Sequence, residues 1–461
     1  MSMFKDIPVE VGVIFEGERI RRNDLQVELG GPTVDKKFEI AKVKSMDQIE
    51  DGKVFVAGPD LKDLKEGGAY PLGILIEAAG AQLDAGLEGV IERRLHGYLN
   101  YIEGFMHLNQ RYDIWMRLGK KSFQKGLNSF EIIGKVLYRL FKNELPIIEK
   151  LQITFITDAS KIDSLYADAL ASYEARDAKA RGLKDSEVDT FYGCVLCQSF
   201  APSHVCVITP QRYSNCGAIS WFDGKASASI DPKGPIFAIP RGDILNEEKG
   251  EFSGINEVAK KRSMGEVTKV WLYTAFDHPH TSCGCFEAVT FYIPEVDGFG
   301  IVQRNFKGAT VNGLPFSTLA DSTAGGRQID GFHGMSLEYM RSSKFFAADG
   351  GWNRVVWVPK EVKEKVKDFM PNDIVDKIAT EDDAKSIDDL KAFLKDKNHP
   401  IVAKWVVEEA VVPTAEDEIA PVMTASTLPI SAGGFRIILT DAKIYASKVV
   451  IKKDESKAEK R

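Results

Sequence analysis

Near the start of the chain, apolar residues occupy alternating positions (Val9, Val11, Val13 and Phe15), and the segment closes on Gly30-Gly31-Pro32. A period of two ending in a turn signal predicts a strand within 9–29. Lys53 to Val56 meets Ala57-Gly58-Pro59 and reads as a second strand. From Ile74 to His107 the spacing of Ile76, Leu83, Leu87 and Val90 is helical, which predicts one or two long helices. Phe130 to Phe141 repeats that spacing, Leu151 to Ile156 reads as a strand, and the charged stretch Asp158 to Asp189 is helix-rich.

After Asp189 the texture changes. Short β-branched runs (Val205 to Thr209, Val267 to Tyr273, Ala288 to Ile293, Val355 to Val358) alternate with loops containing glycine and proline. Pro359 to Pro400 reads as amphipathic helices, with Ser386 placed to cap one ahead of Ile387, Leu390 and Leu394. Gly433 to Lys452 reads as paired strands before a charged, frayed end. The expected fold is α+β or mixed α/β, with two principal domains over 1–165 and 166–400 and an extension over 401–461. The second domain is expected to be sheet-centred, with its chemistry on loops.

Composition narrows the function classes. The 461 residues are 44% hydrophobic and 28% charged, with a net charge of −7. That is ample for proper cores and excludes an overall basic field for nucleic acid. No apolar run reaches the roughly eighteen residues a membrane span needs. The first ten residues lack the pattern of a secretory leader, so the expected location is the cytoplasm.

All six cysteines fall between Cys194 and Cys285. Thiols clustered so tightly in a chain of this size argue for metal rather than a disulfide framework. The first group is Cys194-x2-Cys197-x8-Cys206-x9-Cys216. Four thiolates complete the irons of a cubane cluster, and four-cysteine zinc is the structural alternative. The second group, Thr281-Ser282-Cys283-Gly284-Cys285, sets two thiolates about one glycine. With the deprotonated amides of Gly284 and Cys285 they make an N2S2 plane, which suits Ni(II) or Cu(II) and suits zinc badly.

The segments Phe191-Tyr192-Gly193-Cys194-Val195-Leu196-Cys197-Gln198-Ser199-Phe200-Ala201-Pro202, His204-Val205-Cys206 and Cys216-Gly217-Ala218 resemble those of the acetyl-CoA synthase family. So do Pro279-His280-Thr281-Ser282-Cys283-Gly284-Cys285-Phe286-Glu287 and Asp349-Gly350-Gly351-Trp352-Asn353-Arg354. Ile102-Glu103-Gly104 and Gln110-Arg111 resemble the family's middle domain. The similarity is to the short form, like the β subunit of archaeal acetyl-CoA decarbonylase/synthase complexes. It covers most of the chain to about Pro400.

The resemblance implies a [4Fe-4S] cluster on Cys194, Cys197, Cys206 and Cys216. It implies that Cys197 bridges to a proximal nickel shared with Cys283 and Cys285. A distal nickel then sits on those two thiolates and the nitrogens of Gly284 and Cys285. The activity implied is synthesis or cleavage of acetyl-CoA from CO, a corrinoid-borne methyl group and coenzyme A. The implied partners are carbon monoxide dehydrogenase and corrinoid iron-sulfur protein subunits. Phe200 matches a phenylalanine beside the proximal nickel. Trp115 is a candidate wall of the same pocket, and Arg117, Arg111, Arg93 and Arg94 are candidate partners of the coenzyme A phosphates. For each arginine the ordinary alternative is a solvated surface charge. His204, His278 and His280 are expected to support the site rather than ligate. Ala324 to Gly334 is glycine-rich without a phosphate-loop pattern and is expected to form tight turns. The chain begins where the family's middle domain begins, which implies that the docking domain of long-form members is missing. The 401–461 extension is a candidate for contacts with other subunits. An electron-transfer iron-sulfur protein with a structural Cys-Gly-Cys pair, and a zinc-stabilised module, are the alternatives.

Overall fold

The computed structural model describes residues 3–196, 203–276, 286–323 and 329–409. Four strands of the first half form one mixed sheet in the order β4-β1-β7-β6: β1 Leu25–Gly30, β4 Gly68–Tyr70, β6 Phe105–Gln110 and β7 Asp113–Gly119. A second sheet runs β2-β5-β8-β3: β2 Lys37–Val43, β3 Val54–Ala57, β5 Leu72–Ala79 and β8 Lys150–Ile156. Helices α1 Glu88–Leu99, α2 Lys120–Gln124 and α3 Phe130–Glu144 belong to the same half, and α4 Ala159–Arg181 leads out of it. Leu72, Ile74, Leu95, Leu99, Phe130, Phe141 and Phe155 share one core with the inner faces of both sheets.

Local chemistry explains these elements. The Ser129 hydroxyl accepts from the Glu131 amide at 3.0 Å and starts α3, whose buried Ile133, Val136, Leu137, Leu140 and Phe141 recur at one-face spacing. Asp158 caps α4 by accepting from the Lys161 amide at 2.8 Å. Strand β2 lies at a sheet edge, and α1 covers it: the amides of Ala41 and Val43 donate to Glu92 (2.8 Å) and Glu88 (3.0 Å). Arg176 of α4 then closes a fork on Glu92 at 2.8 and 2.7 Å.

In the second half, β9 Thr190–Cys194 pairs antiparallel with β10 Cys206–Ile208 and β11 Ile236–Pro240, with α5 Trp221–Ile230 against them. A short ribbon, β12 Ile244–Asn246 and β13 Glu251–Phe252, precedes α6 Ser253–Arg262. The other sheet runs β16-β14-β15-β17: β14 Ala288–Ile293, β15 Gly298–Gln303, β16 His333–Met335 and β17 Val355–Trp357. Helices α7 Phe316–Asp321, α8 Leu337–Met340, α9 Lys360–Val366, α10 Ile387–Asp396 and α11 Val402–Glu409 complete it. Ser386 caps α10 as the sequence predicts, accepting from the Asp389 amide at 3.2 Å.

The mixed α/β architecture with several sheets agrees with the expected fold class. Three local expectations change. Residues 74–79 and 105–107 are strand, not helix: β5 lies between β2 and β8 with its Leu72, Ile74, Ile76 and Ala78 face wholly buried and the other face partly so, and its near-continuous apolar run hides the period of two. The alternation from Val9 to Phe15 yields a single bridge, Val11 to Ile102, and a 3₁₀ turn at Val13–Phe15, because no described strand lies alongside to pair with it. Val267 to Tyr273 buries Val270, Leu272 and Tyr273 without forming a strand. The compact body extends past Pro400: Ile401 is buried, and the Trp405 indole donates to the Val296 carbonyl at 2.9 Å. The readings of Gly433 to Lys452 and of the last residues lie outside the described residues.

Candidate thiolate site and arginine-lined cavity

Antiparallel pairing of β9 with β10 sets Cys194 directly opposite Cys206. Cys216 follows on a tight loop, where its sulfur lies 3.5 Å from the Ser214 hydroxyl and the Gly217 amide donates to the Ser214 carbonyl. None of the three is in a disulfide. Burial pushes the Cys206 thiol up to about 12, with Cys194 and then Cys216 adding to the effect and Arg212 opposing it. Neighbouring thiols that resist joint ionisation are a donor set for a soft cation, whose charge replaces their protons. The described thiols do not by themselves close round a metal ion. Cys197, Phe200, His278, His280, Cys283, Gly284 and Cys285 lie outside the described residues, as does 324–328.

The flanks of the two cysteine groups meet. The amide of Glu287, two residues past Cys285, donates to the carbonyl of Asn215, one residue before Cys216, at 3.1 Å. Glu287 is buried, accepts from the Leu337 amide at 2.7 Å, and lies against Gly217. Arg111 also meets this loop, from the tip of the β6–β7 hairpin, where its φ is +61°. Its Nε donates to the Gly217 carbonyl at 2.8 Å and its Nη2 to Asp177 (3.1 Å) and Tyr213 (2.9 Å). Burial pushes the Asp177 carboxyl up to about 6, against the pull of Arg111. Arg111 is thus buried and committed to the cysteine loop. Arg93 is buried too, donating to the Asn109 carbonyl at 3.2 Å, and Arg94 faces Asp231 at 3.7 Å. The His204 carbonyl accepts from Arg262 at 3.2 Å. The described end of the glycine-rich segment is a turn, bridging Ile329 to Phe332.

Trp115 and Arg117 do come together. On β7 they alternate with buried Ile114 and Met116, so both point off the sheet on one side, with the Arg117 guanidinium 4.1 Å over the indole. They line a cavity of about 410 Å³ with Arg19, Arg21, His96 and Arg304, and Glu16 adds a carboxylate. The Trp115 Nε1 is buried without a partner. Arg304 also donates to the carbonyl of Phe286, the residue after Cys285, at 3.3 Å. One side chain therefore spans from this cavity to the cysteine segment. A larger cavity of about 730 Å³ mixes Lys37, Lys307 and Lys365 with Asp35, Glu174 and Glu361, and its charges offset one another. Of the two, the smaller gathers more guanidinium groups than carboxylates on its walls, with Arg117 also donating to Glu28 at 2.6 Å. Nothing in the spacing of Arg19, Arg21 or Arg304 marked them, because folding alone gathers them from distant segments.

Fold and site define a mixed α/β protein with a group of neighbouring thiols and an arginine-lined cavity. The model for the CO dehydrogenase/acetyl-CoA synthase complex beta subunit matches residues 7–162, and that for the C-terminal region of the ACS/CODH beta subunit matches 173–406. The chain belongs to this beta-subunit family. It is 49% identical to the acetyl-CoA decarbonylase/synthase complex subunit beta 2 of Methanosarcina thermophila, over 98% of this chain and 99% of that one. Identity to the subunit beta of Methanothermobacter thermautotrophicus is 50%, over 98% of this chain and 100% of that one. A solved C-terminal domain of an acetyl-coenzyme A synthase alpha subunit is 39% identical, covering 26% of this chain and 96% of the domain with a TM-score of 0.24. Among the described residues, no helix is long and apolar enough to cross a membrane.

Proposed function

We propose that this chain makes and cleaves acetyl-CoA at a nickel and iron-sulfur centre, with coenzyme A held in the arginine-lined cavity. The reading is carried by the junction of the two cysteine groups, where the Glu287 amide bonds to Asn215 beside Cys216. Cys194, Cys197, Cys206 and Cys216 would hold a [4Fe-4S] cluster. Cys197, Cys283 and Cys285, with the backbone of Gly284 and Cys285, would hold two nickel ions. When bound, that centre supplies the bond chemistry at carbon.

The protein's own groups do the rest. Arg19, Arg21, Arg117 and Arg304 meet the phosphates, since guanidinium forks match them in pairs. Trp115 offers a flat wall and an indole N–H in need of an acceptor. Arg111 and Glu287 both hold the Cys216 loop at Gly217, which would fix where its thiolate points. Phe200 is assigned beside this centre by the family resemblance alone. The family relatives are named as subunits of a complex, so this chain works with partner subunits. Those that deliver CO and the methyl group would be a carbon monoxide dehydrogenase and a corrinoid iron-sulfur protein. The extension past Glu409 is a candidate contact for them, in the cytoplasm.

Anaerobic metal analysis tests the reading and should give about two nickel and four iron per chain. Iron without nickel would leave an electron-transfer protein. Cys283→Ser should abolish exchange between CO and acetyl-CoA, and exchange retained in a fully metallated variant refutes the assignment.

A further inference from the structure

Behind the arginine-lined cavity stands a file of three titratable side chains, Glu39 on β2, His107 on β6 and His96 on α1. Glu39 and His107 side chains are wholly buried, and His107 Nε2 lies 2.6 Å from Glu39 Oε1. The second oxygen of Glu39 accepts from the Asn109 side-chain amide at 2.5 Å, so the carboxylate is held in one orientation. His107 Nδ1 lies 3.0 Å from His96 Nδ1, and the His96 ring lines the cavity.

Two ring nitrogens at that distance share one proton. With His107 Nε2–H given to Glu39, the neutral arrangement has His96 Nδ1–H donating to His107 Nδ1. That leaves the Nε2 lone pair of His96 for the cavity. One added proton reverses the file. It arrives at His96 Nε2, which then offers Nε2–H to the cavity, while one proton stays shared between the two Nδ1 atoms and the added charge is spread over the ring pair. Protons balance, with buffer as the donor and the new charge lodged against a buried carboxylate.

We infer that this file is a proton-linked sensor for phosphate, taking up one proton from solution when a phosphorylated nucleotide enters the cavity and turning His96 into a donor to it. The inference rests on the proposed reading of that cavity as the coenzyme A site. Without an anion, the surroundings keep His96 neutral. Burial first, then Arg93 on its own helix and His107 behind, hold His96 well below the ordinary imidazole range. Across the cavity stand Arg19, Arg21, Arg117 and Arg304, with Glu16 opposing them. A bound phosphate reverses that local field, and a proton then becomes favourable where it was not.

The test is calorimetric titration of the holoenzyme with coenzyme A and with adenosine 3′,5′-bisphosphate, at pH 7.5 in two buffers of different ionisation enthalpy. At that pH a phosphate monoester, with its second pKa near about 6, has already lost its own proton. The expected result is uptake of about one proton per ligand, with affinity falling up to about tenfold per unit as pH rises. His96→Gln keeps a donor but cannot titrate and should show no uptake, with His96→Asn as the second variant. Wild-type binding without uptake, or equal uptake in both variants, overturns the sensor and leaves the cavity reading intact. Failure of both ligands to bind the wild type overturns the cavity reading and the sensor with it.

Discussion

Replacing Gly217 with alanine probes the loop that aims Cys216, and the structure supplies its own control. Gly217 has φ +71°, and an added Cβ would lie 2.3 Å from the Glu287 carboxyl. Gly67 has φ +72° with nothing within 4 Å of such a Cβ. The left-handed conformation costs an alanine about 1–2 kcal/mol at either site. At Gly217 the methyl must also displace Glu287 from the Leu337 amide, a buried hydrogen bond of 2.7 Å. Losing that bond adds about 1–3 kcal/mol. Gly217→Ala should therefore fall below Gly67→Ala by about 1–3 kcal/mol in urea unfolding followed by tryptophan fluorescence. It should also purify with less iron, since its neighbour Cys216 moves with it. Equal losses in the two variants would show that Glu287 does not brace this loop.

Three further outcomes follow from named contacts. Burial holds His399 near about 4, and its Nδ1 accepts from the Ile401 amide, so the folded protein resists protonating it. The unfolded chain takes that proton first, so this contribution is full above about pH 6.5 and lost as pH falls toward about 4. Acid unfolding of His399→Gln should accordingly run shallower across that window than the wild type, and parallel curves would refute it. Glu92→Ala strands the buried Arg176 guanidinium and the Ala41 amide and should cost about 3–5 kcal/mol by denaturant unfolding; a loss below about 1 kcal/mol would mean Glu88 suffices alone. Arg304→Gln should weaken coenzyme A about 10- to 100-fold by equilibrium binding, the loss of a charge-assisted contact, and unchanged affinity would remove Arg304 from the site.

By itself, the sequence carried the clustering of the thiols, because residue type and spacing are covalent properties of the chain. Cys194, Cys206 and Cys216 were legible as a set before any strand was placed. It also carried the helices whose apolar residues keep a one-face period, such as α3 with its Ser129 cap and α10 with Ser386. It did not carry β5, since a central strand with a near-continuous apolar run shows no clear period of two. Nor did it separate the arginines: Arg111 and Arg117 lie six residues apart, yet one is locked to Gly217 and the other faces the cavity. Arg111 sits in the hairpin turn and Arg117 on the strand that follows it, so their side chains meet different neighbours that only packing supplies. The cavity itself belongs wholly to the tertiary structure. Its arginines come from near residues 20, 117 and 304, and its histidine file from three separate elements. Charges so distant along the chain act together only after burial of the cores has fixed the distances between them.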